Sequence, residues 1–150
     1  KNDLLNQNAV CQSMALTLAA NLNNSMLLEG IHKEVLKYLT NFNEKQSNTI
    51  KKALIVLAKI VKLKPEMLNA EKWAPALIKI AEMKNFESLL GLCSLVYNIL
   101  TIAGPVGYES VADKLFNSIL LKMKDCPEEY IYYHIKSPWV QIKILQIMCL

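Results

Sequence analysis

The sequence predicts an all-α fold, a right-handed α-solenoid of armadillo- or HEAT-like helical repeats, on three observations. Apolar residues recur three and four apart in seven separate segments, the spacing that gathers them on one face of a helix. No segment sustains the two-residue alternation of a half-buried strand, and the connections are rich in Asn, Ser, Gly and Pro. The helical text also repeats at a fixed offset, which points to stacked helix pairs.

The first segment is QSMALTLAANL, residues 12–22, and the second EGIHKEVLKYLTNF, residues 29–42. The third, residues 47–65, places Ile50, Leu54, Leu57 and Val61 on one stripe. Opposite that stripe, Lys51, Lys52, Lys59 and Lys62 fall within about a quarter-turn of one another at about 100° per residue. Pro65 stops this helix, because proline has no N–H to donate and clashes with the preceding turn. WAPALIKIAEM, residues 73–83, comes next. Residues 88–108 carry no charge and are long enough to raise the question of a membrane span. Ser94, Asn98 and Thr101 interrupt that run and GPVG ends it at residues 104–107, so a buried helix over residues 87–104 is expected instead. ESVADKLFNSILLKMK, residues 109–124, and PWVQIKILQIM, residues 138–148, complete the set.

Ala15, Ala53 and Gly91 align at a constant offset of 38 residues, as do Leu16, Leu54 and Leu92, and Ala19, Leu57 and Leu95. A period near 40 built from helix pairs lies in the armadillo and HEAT range. The offset to the last segment is about ten residues longer, so an insertion is expected before it. One pair cannot cover its own apolar face, whereas stacked pairs share a continuous core and present an extended concave surface. Residues 1–150 are read as a single segment of about four helix pairs, excised from a longer trunk. The aromatic stretch YIYYHIKSPW, residues 130–139, is read as a helix start that closes a joint between repeats. Ser137 would cap the helix, Pro138 would take its first position, and Trp139 would cover the seam together with Tyr132 and Tyr133. Trp73 is assigned to the same kind of joint, and truncating Trp139 to alanine is then expected to cost about 3 kcal/mol or more.

All seventeen basic residues are lysine, and thirteen positions are asparagine. Without arginine the chain lacks the planar fork that recognises phosphates or guanine edges bidentately, and a net charge of +4 is too mild to argue for nucleic acid. Cys11, Cys93, Cys126 and Cys149 lie far apart with no C-x-x-C pair, which reads as reduced intracellular thiols. His32 reads as a surface residue of an amphipathic helix, and His134 as part of the aromatic joint. Cys126 and His134 lack the second close pair that a zinc site needs. Glu128 and Glu129 after Pro127 read as an acidic first turn, not as paired catalytic carboxylates. No phosphate-binding, metalloprotease or nucleophile-elbow string occurs, so no catalytic residue, cofactor or metal is expected and the chain is read as a non-enzyme. The remaining candidate is the ridge of Lys51, Lys52, Lys59 and Lys62, as a weak contact for an anionic surface; an exposed, solvated helix face is the simpler explanation, since such faces are commonly lysine-rich.

Several stretches resemble a known family. YYHIKSPWVQIKILQIM is similar to the large-subunit trunk of the heterotetrameric clathrin adaptor complexes, the adaptins. KNDLLNQNAVCQSMALTLAANLNNSML, IKKALIVLAKIVKLKPEML and NAEKWAPALIKIAEMKNFESLLGLCSLVYNIL resemble further trunk repeats in the same order, so the likeness covers essentially the whole chain. Trp73 and the pair Tyr132 and Tyr133 favour the alpha type, of the endocytic complex, over the gamma type of Golgi and endosomes. The sequence departs where family arginines are lysines or apolar residues, and where Lys136 stands before SPW. The resemblance implies a trunk scaffold in vesicle-mediated transport, on the cytosolic face of the plasma membrane. Implied partners are a beta-type large subunit, a medium mu and a small sigma subunit, with clathrin reached indirectly. The family's phosphoinositide and dileucine-cargo residues lie outside the matched text, so none is assigned to this chain. A nuclear-transport solenoid is the other class considered, but its W-x-x-x-N pairs are missing, since Leu77 follows Trp73 and Lys143 follows Trp139 at that spacing.

Overall fold

The computed structural model describes residues 2–6, 8–40, 46–83 and 86–150. Among them are seven α-helices: α1 (Ala9–Asn21), α2 (Ser25–Thr40), α3 (Ser47–Leu63), α4 (Ala70–Glu82), α5 (Leu89–Ala103), α6 (Glu109–Lys124) and α7 (Pro138–Met148). Each expected segment forms a helix to within two residues of its described ends; residues 41 and 42 of the second lie outside the described residues.

Local chemistry sets the helix ends. Asn8, Asn24 and Asn69 accept hydrogen bonds from the backbone N–H of Val10, Met26 and Lys72, each satisfying a donor that the first turn of α1, α2 or α4 leaves without an intrahelical partner. The asparagine-rich composition thus supplies helix caps. Pro65 opens a 3₁₀ turn one residue beyond α3, and Gly104, at φ 77°, ends α5 in a conformation that glycine adopts without a Cβ clash. Among the described residues no helix is long and apolar enough to cross a membrane.

The helices stack in two layers. In one, α3 lies between α1 and α5, and α7 continues the row beyond α5; in the other, α4 packs between α2 and α6. This is the arrangement of a helical solenoid, and it explains the sequence pattern. Helices flanked on both sides need more apolar surface than edge helices, so α3 buries Ile50, Leu54, Leu57 and Val61 as expected, and Val56 and Ile60 as well. The uncharged α5 buries Leu89, Leu92, Leu95, Val96 and Ile99 for the same reason.

Polar side chains stitch each repeat to its predecessor. Lys59 Nζ donates to the Ala20 carbonyl at 2.8 Å, Asn98 Nδ2 to Ala58 at 3.0 Å, and Lys122 Nζ to Ala81 at 2.7 Å, with Ser118 Oγ donating to the same Ala81 oxygen. Ala20 and Ala81 lie in the last turns of α1 and α4, where carbonyls lack intrahelical partners and a cation is favoured by the helix dipole.

Only the end of the aromatic stretch, Pro138 and Trp139, starts a helix. Residues 131–136 form a two-stranded antiparallel hairpin, β1 (Ile131–Tyr132) and β2 (Ile135–Lys136), with Ile131 opposite Lys136 and Tyr132 opposite Ile135. This hairpin fills the insertion expected before α7. Tyr133 and His134 form its corner at φ 48° and 65°, the positive values that a tight type I′ turn requires and that Asn-Gly usually provides. With Tyr-His at the corner the usual sequence signal is missing, which is why the hairpin escapes a sequence reading. Ser137 does not cap α7 with its side chain: its backbone is left-handed at φ 42°, its N–H donates to the Tyr130 carbonyl at 2.7 Å, and its own carbonyl accepts from Val140 and Gln141.

Candidate functional site

Three features among the described residues are candidates, one lysine row and two surfaces. In the lysine row only Lys51 and Lys62 are exposed. Lys52 Nζ donates to Ser13 Oγ at 2.6 Å and Lys59 to Ala20, so both ammoniums are engaged on α1. The expected four-lysine contact for an anionic surface is therefore reduced to two residues eleven positions apart, roughly 16 Å along a helix. Helical spacing put the four on one side of α3, but it could not show that α1 lies against half of that side.

The first surface is the hairpin. Trp139 is 52% exposed and Tyr133 83%, and Tyr132 is exposed beside them. The Tyr132 ring packs 5.4 Å from Trp139 and 4.8 Å from Tyr133, centroid to centroid, so the three aromatics form one outward cluster instead of covering a seam. Pro138 takes the first position of α7, as expected, and is partly buried. The joint between α5 and α7 is closed by the buried side of α7, Val140, Ile144 and Ile147, and by the Lys143 ammonium 4.6 Å from the centre of the Tyr97 ring. Trp73, by contrast, is enclosed in α4 at 2% exposure. The large cost expected for Trp139 is corrected accordingly. Trp139→Ala is expected to cost about 1 kcal/mol, the value of a partly exposed aromatic pair; a loss of 3 kcal/mol in urea denaturation would show that the indole is covered.

The second surface is an open groove of about 860 Å³ between the end of α4, the second half of α6 and residues 125–130. Phe86 and Tyr130 pack together in its wall, ring centroids 4.8 Å apart and planes tilted by 43°, with Leu121 exposed beside them. Lys122 borders it, and burial pushes its ammonium down to about 8 from an ordinary 10.5. Burial also pushes the nearby Cys93 thiol up to about 12. Between pH 8 and 10.5 the unfolded chain holds the Lys122 proton that the folded chain has released, so this lysine makes stability rise with pH there. Cys93 works the other way above its ordinary 9.0, because only the unfolded thiol ionises. From pH 8 to 9 the wild type is therefore expected to gain stability relative to Lys122→Met; parallel stability-against-pH curves would sink the assignment.

Among the described residues no group of three or more His, Cys, Asp or Glu is placed to hold a metal. Cys11, Cys93, Cys126 and Cys149 are all free thiols. His32 lies on α2 with Nδ1 3.3 Å from the Glu29 carbonyl, and His134 is exposed at the hairpin corner. Glu128 and Glu129 begin the 3₁₀ turn Glu128–Tyr130.

Two stacked helix layers with a period near 38 residues place the chain in the class of helical-repeat solenoids. More particularly, the chain is similar to alpha-adaptins, and the resemblance read from its sequence holds along nearly its whole length. It is 27% identical over 150 residues to two AP-2 complex alpha subunits of Arabidopsis thaliana, 25% identical over 150 residues to one of Dictyostelium discoideum, and 26% identical over 152 residues to one of Schizosaccharomyces pombe. Each match covers 99% of this chain, but only 15–17% of the relative's length. No family model matches the chain, and no solved structure matches it.

Proposed function

We propose that this chain is a trunk segment of an endocytic clathrin adaptor large subunit, a scaffold that works by shape and not by catalysis. Its repeats present a curved surface to a beta-type large subunit and to medium and small subunits, and thereby hold membrane and cargo sites elsewhere in the assembly at fixed geometry. The observation that carries this reading is the likeness to AP-2 alpha subunits of a plant, a slime mould and a yeast over 99% of the chain. The exposed aromatic cluster of Tyr132, Tyr133 and Trp139 supports it, since tyrosine and tryptophan dominate the energetic centres of protein interfaces. In this reading the protein works at the cytosolic face of the plasma membrane, with clathrin reached through its partners and phosphoinositides bound by other parts of the assembly.

Affinity capture of the tagged protein from its own cells, followed by mass spectrometry, tests the proposal. Beta-type, medium and small adaptor subunits are expected to co-purify with plasma-membrane coat components. Recovery of nuclear-transport factors, or of no stable partner, would overturn it. A companion expectation concerns lipid. With only Lys51 and Lys62 exposed in the row, the purified chain should sediment weakly with phosphoinositide vesicles and be released by salt. Tight, headgroup-specific binding by the chain alone would contradict that.

A further inference from the structure

We propose that the groove between α4 and α6 is a docking site for a short extended peptide of a partner protein, one that carries a lysine or arginine next to a large apolar residue. The groove's volume of about 860 Å³ lies within the usual range of ligand sites, roughly 300–1,000 Å³. Its apolar wall is the Phe86–Tyr130 pair together with Leu121, a leucine 63% exposed on α6 with no helix packed over it among the described residues. That wall suits one bulky apolar side chain.

Charge selects the neighbour of that side chain. The lining holds the carboxylates of Glu82, Glu87, Asp125 and Glu129 and the ammoniums of Lys114 and Lys122, and Glu87 is already engaged, accepting from Ser47 Oγ at 2.6 Å. Lys114 is paired with Glu82 at 3.7 Å, and the Lys122 ammonium is held by the Ala81 carbonyl at 2.7 Å. Asp125 and Glu129 make no hydrogen bond or ion pair among the described residues. Burial raises the pKa of the Tyr130 phenol in the wall, and the negative charge of Glu87 and Glu129 raises it further. The result is an apolar slot rimmed by the carboxylates of Asp125 and Glu129, complementary to a basic-apolar peptide and repulsive to an acidic one.

The test uses three fluorescein-labelled peptides, GSKLFKSG, GSELFESG and GSKSSKSG, titrated with the purified chain and read by fluorescence anisotropy. GSKLFKSG is expected to bind at least fivefold more tightly than either of the others. Asp125→Lys combined with Glu129→Lys, and separately Leu121→Ser, should each weaken it at least fivefold. All three positions are exposed, and unchanged melting curves would confirm that the variants fold. Equal binding of GSKSSKSG, or loss on charge reversal without loss in Leu121→Ser, would reduce the groove to a general electrostatic attraction and overturn the proposal. So would self-association of the chain that the charge reversal abolishes, since the occupant would then be a second copy.

Discussion

Replacing Trp73 by alanine is expected to lower the unfolding free energy by about 3–5 kcal/mol and the melting temperature by roughly 10 °C, the range for aromatic truncation in a core of this size. The indole is 2% exposed, on the same side of α4 as the fully buried Leu77 and Ile80, where α4 packs into the second layer. Its removal leaves a cavity that the helices packed against α4 can only partly fill, because they are held by other contacts along the stack. The comparison with Trp139→Ala makes the expectation sharp. One chain carries two tryptophans, and urea denaturation should separate them by 2 kcal/mol or more. Equal costs would mean that the assignment of buried and exposed indole is wrong.

The second large effect is expected at Gly91, where α5 crosses α3. A Cβ built there would sit 3.3 Å from Leu54 Cβ and 3.4 Å from the Lys51 carbonyl oxygen. Leucine at this point must push the two helices apart, and Gly91→Leu is expected to destabilise the chain by about 2–3 kcal/mol through overpacking. Gly91→Ala should be close to neutral, because the helix propensity gained by replacing glycine, up to about 1 kcal/mol, offsets the crowding of one methyl group. A Gly91→Leu variant as stable as wild type would show that the α3–α5 joint is looser than its geometry indicates. The position is one that the repeat register had already marked. Ala15, Ala53 and Gly91 are the small residues at equivalent points of successive helices, and a small residue is what lets one helix of the row approach the next.

The lysine row and the aromatic hairpin show where such local reading stops. For both groups the residue types were legible, as was the fact that they cluster. Their roles were not: two of the four lysines serve as hydrogen-bond donors to α1, and the aromatics expected to close a joint face outward. In each case the deciding partner lies far along the chain or depends on an unusual backbone. Lys59 meets Ala20 across 39 residues, and the hairpin rests on two consecutive left-handed residues with no glycine or asparagine to announce them. The groove was likewise invisible, because Phe86 and Tyr130 come together across 44 positions.

Helix content, the helix breaks at Pro65 and Gly104, the repeat period and the adaptin likeness are properties of the sequence alone, because each depends on residues within a few turns of one another or on text compared in order. Which apolar faces are covered, which lysines are engaged and where the open surfaces lie were decided only by the tertiary stack. Those outcomes depend on contacts between residues about 40 positions apart, and a helical period specifies a face without specifying what packs against it.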